Sequence, residues 1–344
     1  MPTPVLPFGA VRGRPAQAYR LDGGAGVLAL VTDFGARLVQ LHVPDRDGVT
    51  ADVVLGFDDA AGYEASGAYF GATVGRHANR LGDGRFELDG VEHQLDRNEG
   101  QNHLHGGRDG WERQTWAADP VADGRSITFR LASPDGEMGY PGTVEAACTY
   151  ALEGAILRIV MEAVTDRPTI VNMVQHAYFN LAGHASGTIL GQELRLDADH
   201  YLPVGEGLLP TGEVLAVAGT PFDFREPRPI GEAIDAVPGG YDHNWCLRGI
   251  PGADGLAEAA EIHDPASGRT LRLRTSEPGV QVYVAGYLDG TDVGKAGVAY
   301  PRFAGVTLET QAFPSAPRFR QFPSSVLRPG TRYRHEMVLD LTPS

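Results

Sequence analysis

Residues 157–163 read Leu-Arg-Ile-Val-Met-Glu-Ala, so Leu157, Ile159, Met161 and Ala163 occupy every second position. This spacing is typical of a β-strand with one face in the core, because successive side chains of a strand point to opposite faces. The same alternation recurs in two other places, at Ile127, Phe129 and Leu131 and at Tyr333, His335, Met337, Leu339 and Leu341. We therefore predict strands in all three regions.

Short strands joined by turns account for the rest of the chain. Of its 344 residues, 45 are glycine and 24 are proline, and both residue types interrupt helices and favour turns. Residues 264–268 predict a hairpin turn before a strand at 270–274, residues 256–261 are predicted as strand or loop, and one helical turn is predicted at 229–234. The sequence predicts an all-β fold, a large sandwich of antiparallel sheets, with residues 1–344 forming a single domain.

Charge and lysine content exclude two classes of function. The formal net charge is −15, and nucleic acid is therefore excluded as a partner because its binding requires a basic surface. Lys295 is the one lysine among 29 basic residues, and it lies in a glycine-rich stretch, 289–297, predicted to be a loop. Enzymes that form a Schiff base require a desolvated lysine. We therefore expect no pyridoxal phosphate.

The cysteine content and the N-terminal segment predict the cellular compartment of the protein. Cys148 and Cys246 are too few for a four-cysteine zinc site or a disulfide scaffold, and Cys148 alternates with apolar residues as a buried strand thiol would. The first 15 residues contain no apolar signal region, and no 18-residue apolar run occurs in the chain. These features predict a cytoplasmic protein that does not bind membranes.

Asparagine and histidine are concentrated in three segments. All six asparagines, at positions 79, 98, 102, 172, 180 and 244, fall in these segments together with seven of the eleven histidines. Amide and imidazole groups are costly to bury without partners and are well suited to binding hydroxyl groups. Single asparagines commonly mark turns, but three dense clusters favour the walls of one polar cleft. Such a cleft suits a neutral ligand rich in hydroxyl groups.

A His-x-His pair, His103 and His105, raises the alternative of a metal site of the cupin type. That pattern requires a glutamate four or five positions after the second histidine, whereas Glu112 follows His105 by seven positions and two glycines intervene. The spacing therefore disfavours a metal at this pair. We predict no metal and no other cofactor.

Two further segments carry candidate chemistry. In a strand, Asn172, Val174, His176 and Tyr178 would share one face, and the polar neighbours favour a functional histidine over a purely structural one. Asp242 lies in a turn-like segment and is equally compatible with an ordinary Asx turn. Glu309 alternates with Val306 and Leu308, and spacing alone predicts a solvated glutamate at a sheet edge.

Eight sequence segments together resemble the aldose 1-epimerase (galactose mutarotase) family, whose order they share. They run from residue 75 to the C-terminal strand and read GRHANRLGDGRFELDG, NEGQNHLHGG, NMVQHAYFNLAG, GTPFDF, GYDHNWCL, EPGVQVY, LETQAFP and LRPGTRYRHEMVL. The chain departs from the family pattern at Ser315-Ala316-Pro317-Arg318, where the family usually has Asp and ends the turn with Asn, and at Val174-Gln175, where Thr-Asn is commoner.

The resemblance implies a galactose mutarotase-like (supersandwich) β-sandwich that interconverts the α and β anomers of free aldoses without a cofactor. It implies that His176 is the general acid at the ring oxygen and that Glu309 is the general base at the anomeric hydroxyl. It also implies that the sugar is bound by Asn79, Arg80, His105, Tyr178, Asp242 and Gln281. Because the acid must start protonated, we expect a nearby carboxylate to raise the pKa of His176.

Three alternatives stay open from the sequence. A hexose-6-phosphate 1-epimerase would need a cationic pocket, which Arg76, Arg80 and Arg108 could supply. A non-catalytic sugar-binding protein of the same fold would not need both His176 and Glu309. A metal-dependent isomerase of the cupin type is the third. The expected partner is a monosaccharide, and the expected state is a monomer or homodimer.

Overall fold

The computed structural model describes residues 3–121 and 123–342, and these fold almost entirely into antiparallel β-strands. The strands of the first half are β1 (Val5–Val11), β2 (Arg14–Gly24), β3 (Val27–Thr32), β4 (Arg37–Pro44), β5 (Thr50–Asp52), β6 (Ala72–Val74), β7 (Arg80–Leu81), β8 (Arg85–Leu88), β9 (Val91–Gln94), β10 (His103–Leu104), β11 (Ala117–Pro120), β12 (Ser126–Ser133), β13 (Val144–Glu153), β14 (Ile156–Thr165) and β15 (Thr169–Ile170).

The strands of the second half are β16 (Val174–His176), β17 (Tyr178–Phe179), β18 (Glu193–Leu196), β19 (Ala198–Leu202), β20 (Leu215–Ala216), β21 (Arg228–Pro229), β22 (Asp242–Leu247), β23 (Ala257–His263), β24 (Thr270–Thr275), β25 (Gly279–Tyr283), β26 (Val306–Gln311), β27 (Val326–Leu327) and β28 (Tyr333–Asp340). Helix α1 spans Ala60–Ala65, and single 3₁₀ turns cover Gly82–Gly84, Trp111–Arg113, Glu137–Gly139, Glu206–Leu208, Ile234–Ala236, Lys295–Gly297 and Ala316–Arg318.

Three large sheets carry the architecture. The N-terminal sheet has the order β1-β2-β3-β4-β5, and the largest sheet has the order β11-β12-β13-β14-β28-β24-β23-β18-β21. A six-stranded sheet has the order β17-β26-β25-β22-β19-β20. Its central strands come from distant parts of the chain, so β26 lies between β17 and β25, more than 100 residues from β17 in sequence.

One hydrophobic core joins the three sheets. Its buried side chains come from the nine-stranded sheet (Ile159, Met337), the N-terminal sheet (Val31) and the six-stranded sheet (Val282, Leu308). The nine-stranded sheet therefore packs on both of the others, as a sandwich requires. A polar contact also crosses these layers, since His335 on β28 and Thr310 on β26 lie 2.7 Å apart (Nε2 to Oγ1).

Most predictions from the alternation are confirmed. Residues 157–163 lie in β14, which pairs with β13 and β28, and the alternating Leu157, Ile159, Met161 and Ala163 are buried. Residues 264–268 connect the hairpin of β23 and β24, and Cys148 is a buried strand thiol. The helical turn predicted at 229–234 is misplaced, because it begins at Ile234 after a series of turn residues. None of the helices in the described ranges has the length and apolar content needed to cross a membrane.

Candidate active site

An open cavity of about 1120 Å³ lies over the face of the six-stranded sheet that points away from the core. Val306 and Leu308 on β26 point into the core, so the residues between and after them, Thr307 and Glu309, point the other way. The alternation that buries one face of this strand thus places Glu309 in the cavity wall, where it is 2% exposed.

The pairing of neighbouring strands aligns the polar residues of this face in two rows. Tyr178, Thr307, Tyr283 and Asp242 are cross-strand partners in succession from β17 to β22. In the adjacent row, Glu309 pairs with Gln281, which pairs with Asn244. Directly paired side chains on one face lie about 5 Å apart at their Cβ atoms, so residues from four separate sequence segments converge.

His176 enters the cavity from β16, at the end of the six-stranded sheet. Its Nε2 lies 3.4 Å from Oε1 of Glu309. The imidazole ring is stacked between the rings of Tyr69 and Tyr178, at centroid distances of 5.7 and 5.2 Å. These contacts fix the plane of the ring and leave its Nε2 edge toward the carboxylate.

Burial controls the protonation of this pair. Removal from water raises the pKa of Glu309 to about 8, although a hydrogen bond from Thr307 opposes the rise. Burial also lowers the pKa of His176 to about 3. The prediction that a carboxylate would raise the pKa of His176 is therefore wrong, because loss of solvent lowers this pKa and burial holds Glu309 itself in its neutral form. Between these values the pair holds one proton, which resides on Glu309 in the empty site.

The expectation of a solvated edge glutamate at position 309 is also wrong. Glu309 lies on β26, which is hydrogen-bonded to β17 on one side and to β25 on the other. Spacing shows which residues share a face of a strand, but it does not show which strands flank it or what covers the polar face. Here the cover is formed by loops that carry Tyr69, His105 and Arg80.

Arg80 and Asp242 form one side of the cavity. Arg80 donates to the carboxylate of Glu99, with Nη2 and Nε at 2.8 and 2.9 Å from the two oxygens, and its Nη1 lies 3.6 Å from Asp242. Gln281 does not reach the cavity wall. Its Nε2 donates to Oδ1 of Asp242 at 2.7 Å, so the structure places this predicted sugar ligand behind the carboxylate.

His105 and Asn79 also line the cavity, both with left-handed backbone at φ 52° and 62°. Ligand atoms of His105, His176 and Glu309 come within 4.8 Å of one another, which is close enough to consider a metal ion. However, the backbone N–H of Asn79 donates to Nδ1 of His105 at 3.3 Å. A neutral imidazole that accepts at Nδ1 carries its proton at Nε2, so His105 is arranged to donate a hydrogen bond rather than to bind a metal.

The cupin-type pair does not assemble. His103 points away from the cavity, with Nε2 at 2.6 Å from the hydroxyl of Tyr140 and Nδ1 at 2.6 Å from the carbonyl of Asp96. Glu112 is buried beside Arg113, away from both histidines of the pair. The three side chains that a cupin-type site would use therefore do not converge at the cavity.

The asparagine clusters converge on the cavity only in part. Asn79 and Asn102 line it, as do His105, His176, Tyr178 and Asp242. The other four asparagines form hydrogen bonds mainly with backbone groups of the fold. Asn172 does not share the cavity face with His176 and Tyr178 as predicted, because its Oδ1 accepts a hydrogen bond from the N–H of Ala312. The remaining histidines of the clusters, His77, His93, His103, His184 and His243, are likewise absent from the cavity wall.

Several wall residues have no clear signal in the sequence. Tyr69 follows α1 in a loop, and its ring contacts those of His105 and His176. Tyr283 and Tyr287 line the rim, where their rings stack at 5.8 Å. An isolated tyrosine carries no periodicity, so tertiary contact alone identifies Tyr69. The sequence could have predicted Tyr283 as a site residue, because it lies two positions after Gln281 and therefore on the same face of the strand.

The charge of the cavity wall is predominantly negative. Among the described residues, two arginines line it, Arg80 and Arg318, against six carboxylates: Asp83, Glu99, Glu206, Asp242, Asp292 and Glu309. The other candidate phosphate ligands lie elsewhere. Arg76 is buried and donates to the carbonyls of Pro141 and Gly142, and Arg108 pairs with Asp96.

Comparison with known proteins identifies the family of this chain. The Aldose 1-epimerase family model matches residues 17–340. Galactose mutarotase of Homo sapiens is 44% identical over 306 residues, 89% of this chain and 88% of that protein. Aldose 1-epimerase of Escherichia coli (strain K12) is 34% identical over 339 residues, 96% of each chain.

The fold is shared as well. The crystal structure of an aldose epimerase homologue from C. elegans superposes with a TM-score of 0.89 at 30% identity, over 95% of this chain and 99% of that one. Galactose 1-epimerase from Lactobacillus acidophilus has a TM-score of 0.85 at 28% identity, over 98% of each chain. With both sequence and fold matched over nearly its full length, this chain belongs to the aldose 1-epimerase family of isomerases.

Proposed function

We propose that this isomerase interconverts the α and β anomers of free aldohexoses such as galactose and glucose, with His176 as general acid and Glu309 as general base. The observation that supports these roles is the buried pair itself, whose facing Nε2 and Oε1 atoms lie 3.4 Å apart in the cavity wall. Two groups that can exchange one proton, held beside a polar cavity, are what ring opening of a hemiacetal requires.

The proton balance of the reaction matches this pair. In ring opening, His176 gives a proton to the ring oxygen, the bond between C1 and that oxygen breaks, and Glu309 takes the proton of the C1 hydroxyl as C1=O forms. Rotation about C1–C2 presents the other face of the aldehyde, and ring closure reverses both transfers. The pair holds one proton in total before and after ring opening, and again before and after ring closure, so no external acid or base is consumed.

In the empty site, the proton of the pair lies where it would lie beside the open-chain sugar. A neutral His176 beside a protonated Glu309 is the state produced by ring opening, and it is also the state that burial favours. A cyclic sugar reacts once the proton has moved from Glu309 to His176. The aromatic rings of Tyr69 and Tyr178 on both sides of the imidazole support its transient positive charge through their electron-rich faces.

The remaining predicted residues are proposed to bind the sugar. Arg80, Asp242, Asn79, His105 and Tyr178 present charged, amide, imidazole and phenol groups to the cavity, which can hold several hydroxyl groups at once. Gln281 is proposed to act through Asp242, whose carboxylate it contacts. These groups orient the anomeric carbon toward the acid–base pair.

Free sugars suit the cavity better than their 6-phosphates. Both arginines of the wall already lie near carboxylates, Arg80 near Glu99 and Asp242 and Arg318 at 3.7 Å from Asp83. A phosphate dianion would add charge of the same sign as the wall carboxylates other than Glu309, which burial holds protonated, and juxtaposed like charges cost several kcal/mol. A non-catalytic sugar-binding role is less well supported, because it would leave the buried His176–Glu309 pair without a function.

The substrate class can be tested by polarimetry of freshly dissolved α-D-galactose, α-D-glucose and their 6-phosphates. We expect kcat/KM for the free sugars to exceed that for the 6-phosphates by about tenfold or more, from like-charge repulsion in the cavity. A preference for the 6-phosphates would assign the enzyme to phosphorylated substrates instead. If the protein accelerates mutarotation of neither the free sugars nor the 6-phosphates, the non-catalytic sugar-binding role becomes the better explanation.

A further inference from the structure

Thr307 contacts Glu309 from a position outside the cavity. The two residues lie two positions apart on the same face of β26, and the hydroxyl of Thr307 donates to Oε1 of Glu309 at 2.9 Å. Thr307 is fully buried and does not belong to the cavity wall. It lies in the row between Tyr178 and Tyr283, so a substrate in the cavity would meet those rings and not the threonine.

The two oxygens of Glu309 have different surroundings as a result. Oε1 accepts from Thr307 and lies 3.4 Å from Nε2 of His176. Oε2 is buried and has no hydrogen-bond partner among the described residues. A buried carboxylate oxygen without a partner is costly, and such atoms in native proteins commonly mark places where a ligand or a catalytic proton transfer supplies the missing partner.

We propose that Thr307 is a positioning residue that holds the carboxylate of Glu309 through Oε1 for transfer of the proton of the C1 hydroxyl. This proposal rests on the proposed anomerase function. In the step concerned, the O–H bond of the C1 hydroxyl breaks and a new O–H bond forms at the carboxylate of Glu309, while the electron pair released at the C1 oxygen forms C1=O and the bond between C1 and the ring oxygen breaks. The proton delivered by His176 to the ring oxygen completes the balance.

The hydroxyl of Thr307 also supports the charged form of Glu309. A hydrogen bond donated to a carboxylate stabilises the anion, so its loss raises the pKa of the acid. The other titratable or charged groups that surround Glu309 come from six separate segments and do not change with Thr307: His176, His105, Tyr178, Tyr283, Asp242 and Arg80. A change at Thr307 therefore isolates one contact.

Thr307→Val removes the donor at nearly constant volume, and Thr307→Ser keeps the hydroxyl. In Thr307→Val we expect kcat for α-D-galactose to fall about tenfold with KM within about twofold, as befits the loss of a hydrogen bond to a charged group. We also expect the alkaline limb of the pH profile of kcat/KM to move upward by about one pH unit. Thr307→Ser should restore both values to near wild type.

Separate outcomes identify which proposal fails. If wild type anomerises galactose but Thr307→Val keeps its kcat and its alkaline limb, the positioning role is wrong. If Thr307→Ser is as impaired as Thr307→Val, packing and not the hydroxyl is responsible, and the role is equally wrong. Absence of anomerisation in the wild type would instead overturn the proposed function. Circular dichroism checks folding, and Thr307→Ala replaces the valine variant if that variant does not fold.

Discussion

At the scale of residues, burial decides the chemistry of the acid–base pair. His176 and Glu309 are both nearly inaccessible to water, and desolvation favours the neutral form of each. The family resemblance singled out both residues, and the structure brings them within 3.4 Å of each other, but the direction of the shift in the pKa of His176 could not be predicted from the sequence. That shift depends on the rings of Tyr69 and Tyr178 and on loops that are distant in sequence.

This protonation leads to a testable pH dependence. Above a pH of about 8, the raised pKa of Glu309, the pair loses its single proton, and no acid is left for the ring oxygen. We expect kcat/KM to be level below about pH 8, down toward the lowered pKa of His176, and to fall about tenfold per pH unit above pH 8. The macroscopic limb belongs to the coupled pair and not to one residue.

The measurement is a pH profile of mutarotation, corrected for the uncatalysed rate. An alkaline limb near 6.5, the ordinary pKa of histidine, would show that His176 carries the proton in the free enzyme and would contradict the account. A profile without any alkaline limb up to pH 10 would do so as well.

At the scale of elements, the apolar alternation predicts which face of a strand is buried, but it does not predict which strands pair with it. The faces of β14, β26 and β28 follow the apolar pattern because a strand has a period of two whatever pairs with it. The neighbours of β26 depend on contacts over more than 100 residues of sequence, for which local sequence carries no signal. The sequence therefore predicts the correct face of β26 for Glu309, but it wrongly predicts that this side chain is solvated.

Strand β14 offers a matched test of the core. Ile159 is fully buried between β13 and β28, whereas Ile156 on the same strand is 40% exposed. Ile159→Ala should lower the free energy of unfolding by about 2 to 5 kcal/mol, since it removes apolar contacts and leaves a cavity. Ile156→Ala should change it by about 1 kcal/mol or less. Urea denaturation followed by fluorescence measures both, and equal losses would contradict the assignment of the buried face.

At the scale of the whole molecule, one core draws on all three large sheets. We propose that residues 1–344 form a single domain, because no sheet could retain its buried face alone. The same urea titration tests this for the wild type, since fluorescence and activity should be lost at one denaturant concentration. Two separated transitions would show independent units.

The charge of the molecule agrees with its site. The net charge of −15 predicts that the protein does not bind nucleic acid. The excess of carboxylates over arginines in the cavity wall favours neutral ligands over anionic ones at the site. The asparagine and histidine clusters predicted a cleft for hydroxyl groups, and the fold brings one part of each cluster to it. The other parts support loops and turns, a role that composition does not distinguish from ligand binding.

The measurement that most directly tests the central claim is polarimetry of freshly dissolved α-D-galactose with wild-type enzyme, Glu309→Gln and His176→Asn, each dialysed against EDTA. Wild type should accelerate mutarotation without added metal. Each variant should lose a factor of about 10² or more in kcat while keeping its fold, because each removes one of the two proton-transfer groups. A folded Glu309→Gln enzyme with near-wild-type activity would contradict the account, as would wild-type activity that EDTA abolishes and a divalent ion restores.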